Sequence, residues 1–120
     1  MGVPTSKRLR RPSDFLKVRN EGTRFLCGPF IFQARRHPDA SDGNCRFGVI
    51  ASRRVGNAVT RQRGKRIFRE IFRLNQSALP QGSDVVVVLR SGFTRYSFED
   101  LQHRYLKACH NYQKQLGGQD

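Results

Sequence analysis

The chain has 120 residues, 37% of them hydrophobic, and carries a formal charge of +14 from 23 Lys+Arg against 9 Asp+Glu. That length fits one compact domain with a modest core, for which nine Phe and three Tyr supply the bulk. A compact body this basic repels itself, so a polyanion is the expected partner, nucleic acid first and an anionic membrane surface second. In chain order, residues 1–11 read as a flexible basic arm. "RPSDFLKVRNEGT" (11–23) predicts a short helix with Ser13 as N-cap, Asp14 in the first turn and Gly22 closing it in the left-handed conformation. Phe15 and Val18 share one face of that helix.

"RFLCGPFIFQARR" (24–36) is aromatic and β-rich, and Gly28-Pro29 divides it into a short strand and a longer one from Phe30. Alternation sends Phe30, Phe32 and Ala34 one way and Ile31, Gln33 and Arg35 the other. "HPDASDGN" (37–44) is a turn cluster long enough for a hairpin loop. "CRFGVIASRR" (45–54) follows as a strand ending in Arg53-Arg54, with Phe47 and Val49 alternating with Arg46, Gly48 and Ile50. "VVVVLR" (85–90) is a continuous apolar run, as expected of a strand covered on both faces or central in a sheet. Ser97 opens "SFED", a capping box with Asp in place of Glu. The helix after it stripes Phe98, Leu101, Tyr105, Ala108, Tyr112 and Leu116 along one side. Together these elements predict an α+β layer fold without internal repeats.

Between the last two strands lies "VGNAVTRQRGKRIFREIFR" (55–73), with six basic side chains in the thirteen residues from Arg61 to Arg73. At 100° per residue, positions 61, 65, 69 and 73 climb one side, Arg66 extends it, and Arg63 falls toward its far border. Ile67, Phe68, Ile71, Phe72 and Leu74 fill the opposite arc. A merely solvated helix mixes charge signs at i,i+4, whereas here Glu70 is the lone acid from Val55 to Arg73. The arrangement points to a surface for phosphates. It is reinforced by Arg53, Arg54 and the backbone N–H groups at the helix start, where Asn57 can cap the helix or bond a phosphate itself. Gly64 in mid-helix costs about 1 kcal/mol relative to Ala and is read either as allowing close approach or as tolerated. Only Lys7, Lys17, Lys65, Lys107 and Lys114 are lysines. The other cations are arginines, whose fork matches phosphate oxygens in pairs.

"RFGVIASRRVGNAVTRQRGKRIFREIFR" (46–73) resembles the signature of the bacterial ribonuclease P protein: a strand ending in two basic residues, "GNAV", an Arg-Asn-Arg element, then Lys-Arg. The likeness extends to "RLRRPSDFLKV…EGT", the Val-rich strand and the final helix. It implies a small mixed β-sheet packed with three helices, in the order α-β-β-β-α-β-α, with an unusual left-handed βαβ crossover. The domain implied spans 12–116, with 117–120 a tail. The family assists a catalytic RNA that removes the 5′ leader from precursor tRNA, with the chemistry and its Mg2+ on the RNA and the protein inactive alone. By resemblance and charge, Arg53, Arg54, Asn57, Arg61, Gln62, Arg63, Lys65, Arg66, Arg69 and Arg73 are expected to bind that RNA. Arg11, Phe15, Lys17, Arg19, Phe32 and Gln33 are expected to bind the leader, in a cleft between the first helix and the sheet. The sequence departs from the family pattern at Gln62, at Gly64 (usually branched and apolar), and at Arg19 and Gln33, where some relatives place aromatics.

Protein-based catalysis finds little support. The nine acids (Asp14, Glu21, Asp39, Asp42, Glu70, Asp84, Glu99, Asp100, Asp120) are scattered or sit in turns and caps, not clustered as a metal nuclease needs. His37 falls in a loop, and His103 and His110 lie seven apart on the last helix, as surface residues. Cys27, Cys45 and Cys109 form no CxxC pair and read as reduced core residues of a cytoplasmic protein. No apolar run approaches the ~20 residues of a membrane span, and the start lacks a signal-peptide core. "MGVPTS" fits the loose myristoylation pattern, but the Lys7, Arg8, Arg10 and Arg11 beside it suit nucleic acid equally. The alternative reading is a non-catalytic RNA-binding protein of ribosomal type.

Overall fold

A computed structural model describes residues 7–36 and 44–117. The elements are α1 (Pro12–Glu21), β1 (Thr23–Leu26), β2 (Phe30–Arg36), β3 (Arg46–Ile50), α2 (Ala58–Leu74), β4 (Ser83–Leu89) and α3 (Phe98–Gly117). This is the expected α+β order. The four strands form one mixed sheet in the order β1-β2-β4-β3. β2 pairs antiparallel with both β1 and β4, while β3 runs parallel to β4.

The hairpin expected over 37–44 does not pair its flanking strands, because β4 lies between β2 and β3; residues 37–43 themselves lie outside the described residues. The physical reason is the valine run. Val85, Val86 and Val87 are all buried, and a strand that is apolar on both faces is cheapest in the middle of a sheet with a layer on each side. The chain must therefore leave β3, cross through α2 and return beside it as β4, a parallel pair joined by a helix.

On one face, Phe30, Phe32, Phe47, Val85, Val87 and Leu89 meet Phe68, Ile71 and Phe72 of α2 and Leu101, Tyr105 and Tyr112 of α3. Phe30 meets Phe68 edge-on at 4.7 Å, and Phe47 stacks on Phe72 at 4.8 Å. Gly64 is buried here. A Cβ on it would lie 2.5 Å from Leu89 Cδ1 and 2.8 Å from Phe93 Cζ, so its mid-helix cost is exchanged for close seating of α2 on the sheet. The other face is thinner: Leu9, Val18 and Val86, with Phe15 and Val88 partly buried, under α1.

Three local expectations give way. Arg11 holds the cap position of α1 without a side-chain bond and Pro12 is its first residue, because a ring locked near helical φ suits that position; Ser13 is thus inside the helix. Gly22 is extended rather than left-handed, and a Cβ there would lie 2.5 Å from Val18 O and 2.6 Å from Ala34 O. The glycine serves close approach, not turn geometry. Finally, residues 7–11 of the expected flexible arm are placed against the body. Arg8 bridges to Phe47, the Leu9 N–H donates to the Phe47 carbonyl at 3.0 Å, and Leu9 is buried. Residues 1–6 lie outside the described residues. The serine half of the capping box expected at Ser97 is present, its Oγ accepting from the Asp100 N–H at 3.1 Å.

All three cysteines are free, with Cys45 and Cys109 buried and Cys27 half-buried. Burial pushes the Cys109 thiol from 9.0 up to about 12. A raised thiol pKa contributes stability that is complete below the unfolded value and is lost as pH rises toward the folded one. Urea unfolding between pH 9 and about 12 is therefore expected to show falling stability, part of which disappears in Cys109→Ala; a slope unchanged by that substitution would contradict the assignment.

Candidate nucleic-acid interface

The 3-10 turn Arg53–Val55 leads into α2, so Arg53 and Arg54 sit in a turn beyond the end of β3 rather than on the strand, both exposed. Asn57 caps α2, its Oδ1 accepting from the Thr60 N–H at 2.8 Å. Along α2, Gln62, Arg63, Arg66, Arg69 and Arg73 are exposed, but Arg61 and Lys65 are half-buried. The expected line 61-65-69-73 is therefore not a single outward row. Each step of four residues adds about 40° to the heading, so Arg61 lies roughly 120° from Arg73, on the flank of the apolar face. Its Nε is buried and has no partner among the described residues. The outward row is Gln62, Arg66, Arg69 and Arg73, with Arg63 on its border and Val59, 77% exposed, at its start. Val59 was not singled out by sequence; with Ala58, Gln62, Arg63 and Arg66 it lines a shallow depression.

One cation of the row is neutralised. Glu70 receives both Nε, at 3.0 Å, and Nη2 of Arg73, and the hydrogen bond from Arg73 lowers the Glu70 pKa. Leu74, expected on the apolar arc, is 53% exposed. It lies at the helix end, past the sheet-facing residues.

On the opposite face of the sheet, the pairing register makes three rows across the strands. Arg35, Asp84 and Arg46 form the first; Arg24, Gln33, Val86 and Gly48 the second; Leu26, Ile31, Val88 and Ile50 the third. α1 covers the first two. Phe15 lies over Gly48, where a Cβ would come within 2.4 Å of the ring, so the glycine is what lets the phenyl lie on the strand. The third row is open and aliphatic, with Leu26 70% exposed and Ile50 39%. Phe15, half-buried over Gly48, and Arg19, exposed and one turn further on, lie on the flank of α1 turned away from the first row.

The expected leader residues divide accordingly. Arg11 is at the cap of α1, and Phe15 and Arg19 share the flank of α1 away from the first row. Lys17, exposed, projects roughly 200° round the helix from Phe15, away from the open row. Gln33 is on the cleft face but 8% exposed. Phe32, expected at the leader, is instead fully buried on the far face, edge-on to Tyr105 at 5.6 Å. The strand alternation already sent Phe32 opposite to Gln33, so the two could not line one cleft. Conversely, Leu26, Ile31, Val88 and Ile50 were missed as a set. Each strand's alternation is visible in sequence, but the order that aligns them is not.

The acids have found arginines. Asp84, nearly fully buried, accepts from Arg46 Nε at 2.9 Å and from Nη2 at 2.8 Å. Arg46 Nη1 lies 3.8 Å from Asp14, and Arg35 Nη1 donates to Glu21 at 2.8 Å. With Glu70–Arg73, four of the six described acids are engaged by arginine. Among the described residues no group of three or more His, Cys, Asp or Glu is placed to hold a metal ion, and no helix is long and apolar enough to cross a membrane. His103 and His110 are exposed, as expected; His37 lies outside the described residues.

A small α+β body with an arginine ridge on one side and an open aliphatic row on the other defines a polyanion-binding protein, and comparison with known proteins narrows that class. The family model described as Ribonuclease P matches residues 3–113, and the chain belongs to that family. A ribonuclease P protein component of Oleidesulfovibrio alaskensis is 43% identical over 81 residues, covering 68% of this chain and 64% of that protein. One from Bacillus pumilus is 31% identical over 106 residues, covering 85% and 87%. The solved ribonuclease P protein of Thermotoga maritima superposes with a TM-score of 0.74 at 32% identity, over 85% of this chain and 94% of that one. A Staphylococcus aureus structure, at 22% identity and TM-score 0.73, shares the fold.

Because Arg66 meets no acid among the described residues and Arg73 is held by Glu70, retention on a heparin column should fall more for Arg66→Ala than for Arg73→Ala. It should rise for Glu70→Ala, which frees Arg73. Equal shifts for the two arginines would remove the distinction.

Proposed function

We propose that this chain, as the protein subunit of ribonuclease P, binds the catalytic RNA through the ridge of α2 and the 5′ leader of precursor tRNA through the cleft under α1. The observation that carries this reading is the two-sidedness of the sheet: the cationic row and the open aliphatic row lie on opposite faces, so one chain can touch two nucleic-acid strands at once. A ribosomal-type RNA-binding protein would use the ridge but has no need of the cleft.

Arg53, Arg54, Arg63, Arg66 and Arg69 meet phosphates of the folded RNA, with Gln62 and Lys65 beside them; such contacts set orientation and are salt-sensitive. Arg61 contributes from the flank and Arg73 once Glu70 releases it, while Asn57 is committed to the helix cap. In the cleft, an unpaired leader lays a base on the Phe15 ring for about 1–3 kcal/mol, and Arg19 and Arg11 meet its backbone. Aliphatic side chains floor the cleft without hydrogen-bond readout, which favours tolerance of leader sequence.

Cleavage is assigned to the RNA, which carries the Mg2+. The described carboxylates of this chain do not fit a metal site: no three of them gather with one another or with His or Cys, and Asp14 and Asp84, which share Arg46, are already paired with it. The protein alone is inactive and works in the cytoplasm.

Mixing the chain with precursor tRNA, with and without the cognate RNA subunit at low magnesium, tests the reading. Cleavage in the complete mixture alone supports it; cleavage by purified protein overturns the assignment of chemistry. Phe15→Ala should weaken binding of precursor tRNA by about 5- to 150-fold, the loss of one stacked base, and leave mature tRNA unaffected. Equal losses on both would confine Phe15 to packing.

A further inference from the structure

The first row of the cleft face has a consequence for α1. Arg35, Asp84 and Arg46 stand side by side on β2, β4 and β3. Asp84 grips the Arg46 guanidinium with both oxygens, which leaves Nη1 facing Asp14 in the first turn of α1. At the other end, Glu21, the last residue of α1, holds Arg35, itself 9% exposed. A ten-residue helix is thereby tied at each end to a different strand.

The positions around the helix matter as much as the positions along it. Asp14 and Glu21, seven residues apart, point within about 20° of each other; Phe15 and Arg19 lie roughly 100–140° further round, with buried Val18 between the two flanks. The apolar grip of α1 is small: Val18 is its one buried residue, Phe15 is half-buried, and Leu16 is exposed. A helix below ~12 residues has little stability of its own, and so narrow a contact leaves rotation about the axis weakly determined.

We propose that the ion pairs Asp14–Arg46 and Glu21–Arg35 are positioning ties that set the roll of α1, and so hold Phe15 and Arg19 at the edge of the open row. Asp84 acts one step behind them, by fixing the guanidinium that Asp14 meets. The role rests on the cleft reading above, since the roll matters only if the leader enters beneath α1. Rolling the helix toward the first row would lift Phe15 off Gly48, and rolling it away would pull both carboxylates from their arginines.

The test uses the full chain with Asp14→Asn, Glu21→Ala and Glu21→Gln, beside Phe15→Ala. In the free protein, hydrogen exchange of α1 amides should quicken about two- to fivefold per lost tie, the worth of a partly exposed ion pair. In the assembled ribonucleoprotein, the preference for precursor over mature tRNA should fall by a similar factor, with thermal midpoint and RNA-subunit affinity unchanged. Glu21→Gln, which keeps an acceptor for Arg35, should recover part of both effects. Unchanged α1 exchange overturns the proposal, as does a joint fall of thermal midpoint and RNA-subunit affinity, the mark of a merely structural pair. If exchange quickens and Phe15→Ala lowers the preference but the tie variants do not, the ties are irrelevant to the cleft, which itself stands. If Phe15→Ala also leaves the preference intact, the cleft reading fails and the ties lose their role with it.

Discussion

β4 has neighbours on both edges and protein on both faces from Val85 to Val87, which are all buried, and a strand so apolar is best placed there. From that constraint follows the separation of the two surfaces. With β4 central, the crossover through α2 packs on one face beside α3, and α1 is left to cover part of the other. A thick core of aromatic contacts forms under α2 and α3, and a thin one under α1. The thin side remains partly open, and its uncovered row is a floor of aliphatic side chains reaching across all four strands.

Electrostatics is divided along the same line. Nine acids cannot offset 23 cations, and the described ones are not spread evenly. Asp14, Glu21 and Asp84 serve arginines that hold α1 to the sheet, and Glu70 serves Arg73. Along the outward row of α2, no acid among the described residues pairs with Arg66 or Arg69. Repulsion along it costs the free protein little in water, where exposed charges are screened within about 8–10 Å. It is relieved when phosphates take the place of counterions.

Much of this was legible wherever a local period decides the outcome. The amphipathic α2, the Ser97 cap, the break at Gly28-Pro29 and the buried valine strand all follow from spacing and residue type. Gly28 adopts φ +82 between β1 and β2, as a break there requires. What escaped was decided at long range. Alternation separated Phe32 from Gln33, but only the strand order shows that Phe32 faces Tyr105. The four-residue spacing of Arg61, Lys65, Arg69 and Arg73 looked like a row, yet its drift carries Arg61 onto the buried flank. Leu9 looked like part of a charged arm, and its burial depends on β3 having a free edge beside it. Gly22 and Gly48 were invisible as contact points because their partners, Ala34 and Phe15, come from other elements.

In the proposed function one sheet keeps two nucleic-acid strands on opposite faces. Site-specific photocrosslinking reads this directly, with a photoreactive residue placed at exposed Leu26 on the open row or at exposed Val59 on α2, in the ribonucleoprotein bound to precursor tRNA. Two faces require Leu26 to capture the tRNA leader and Val59 to capture the catalytic RNA. Capture of the same RNA from both positions, or of the leader from Val59, would contradict it.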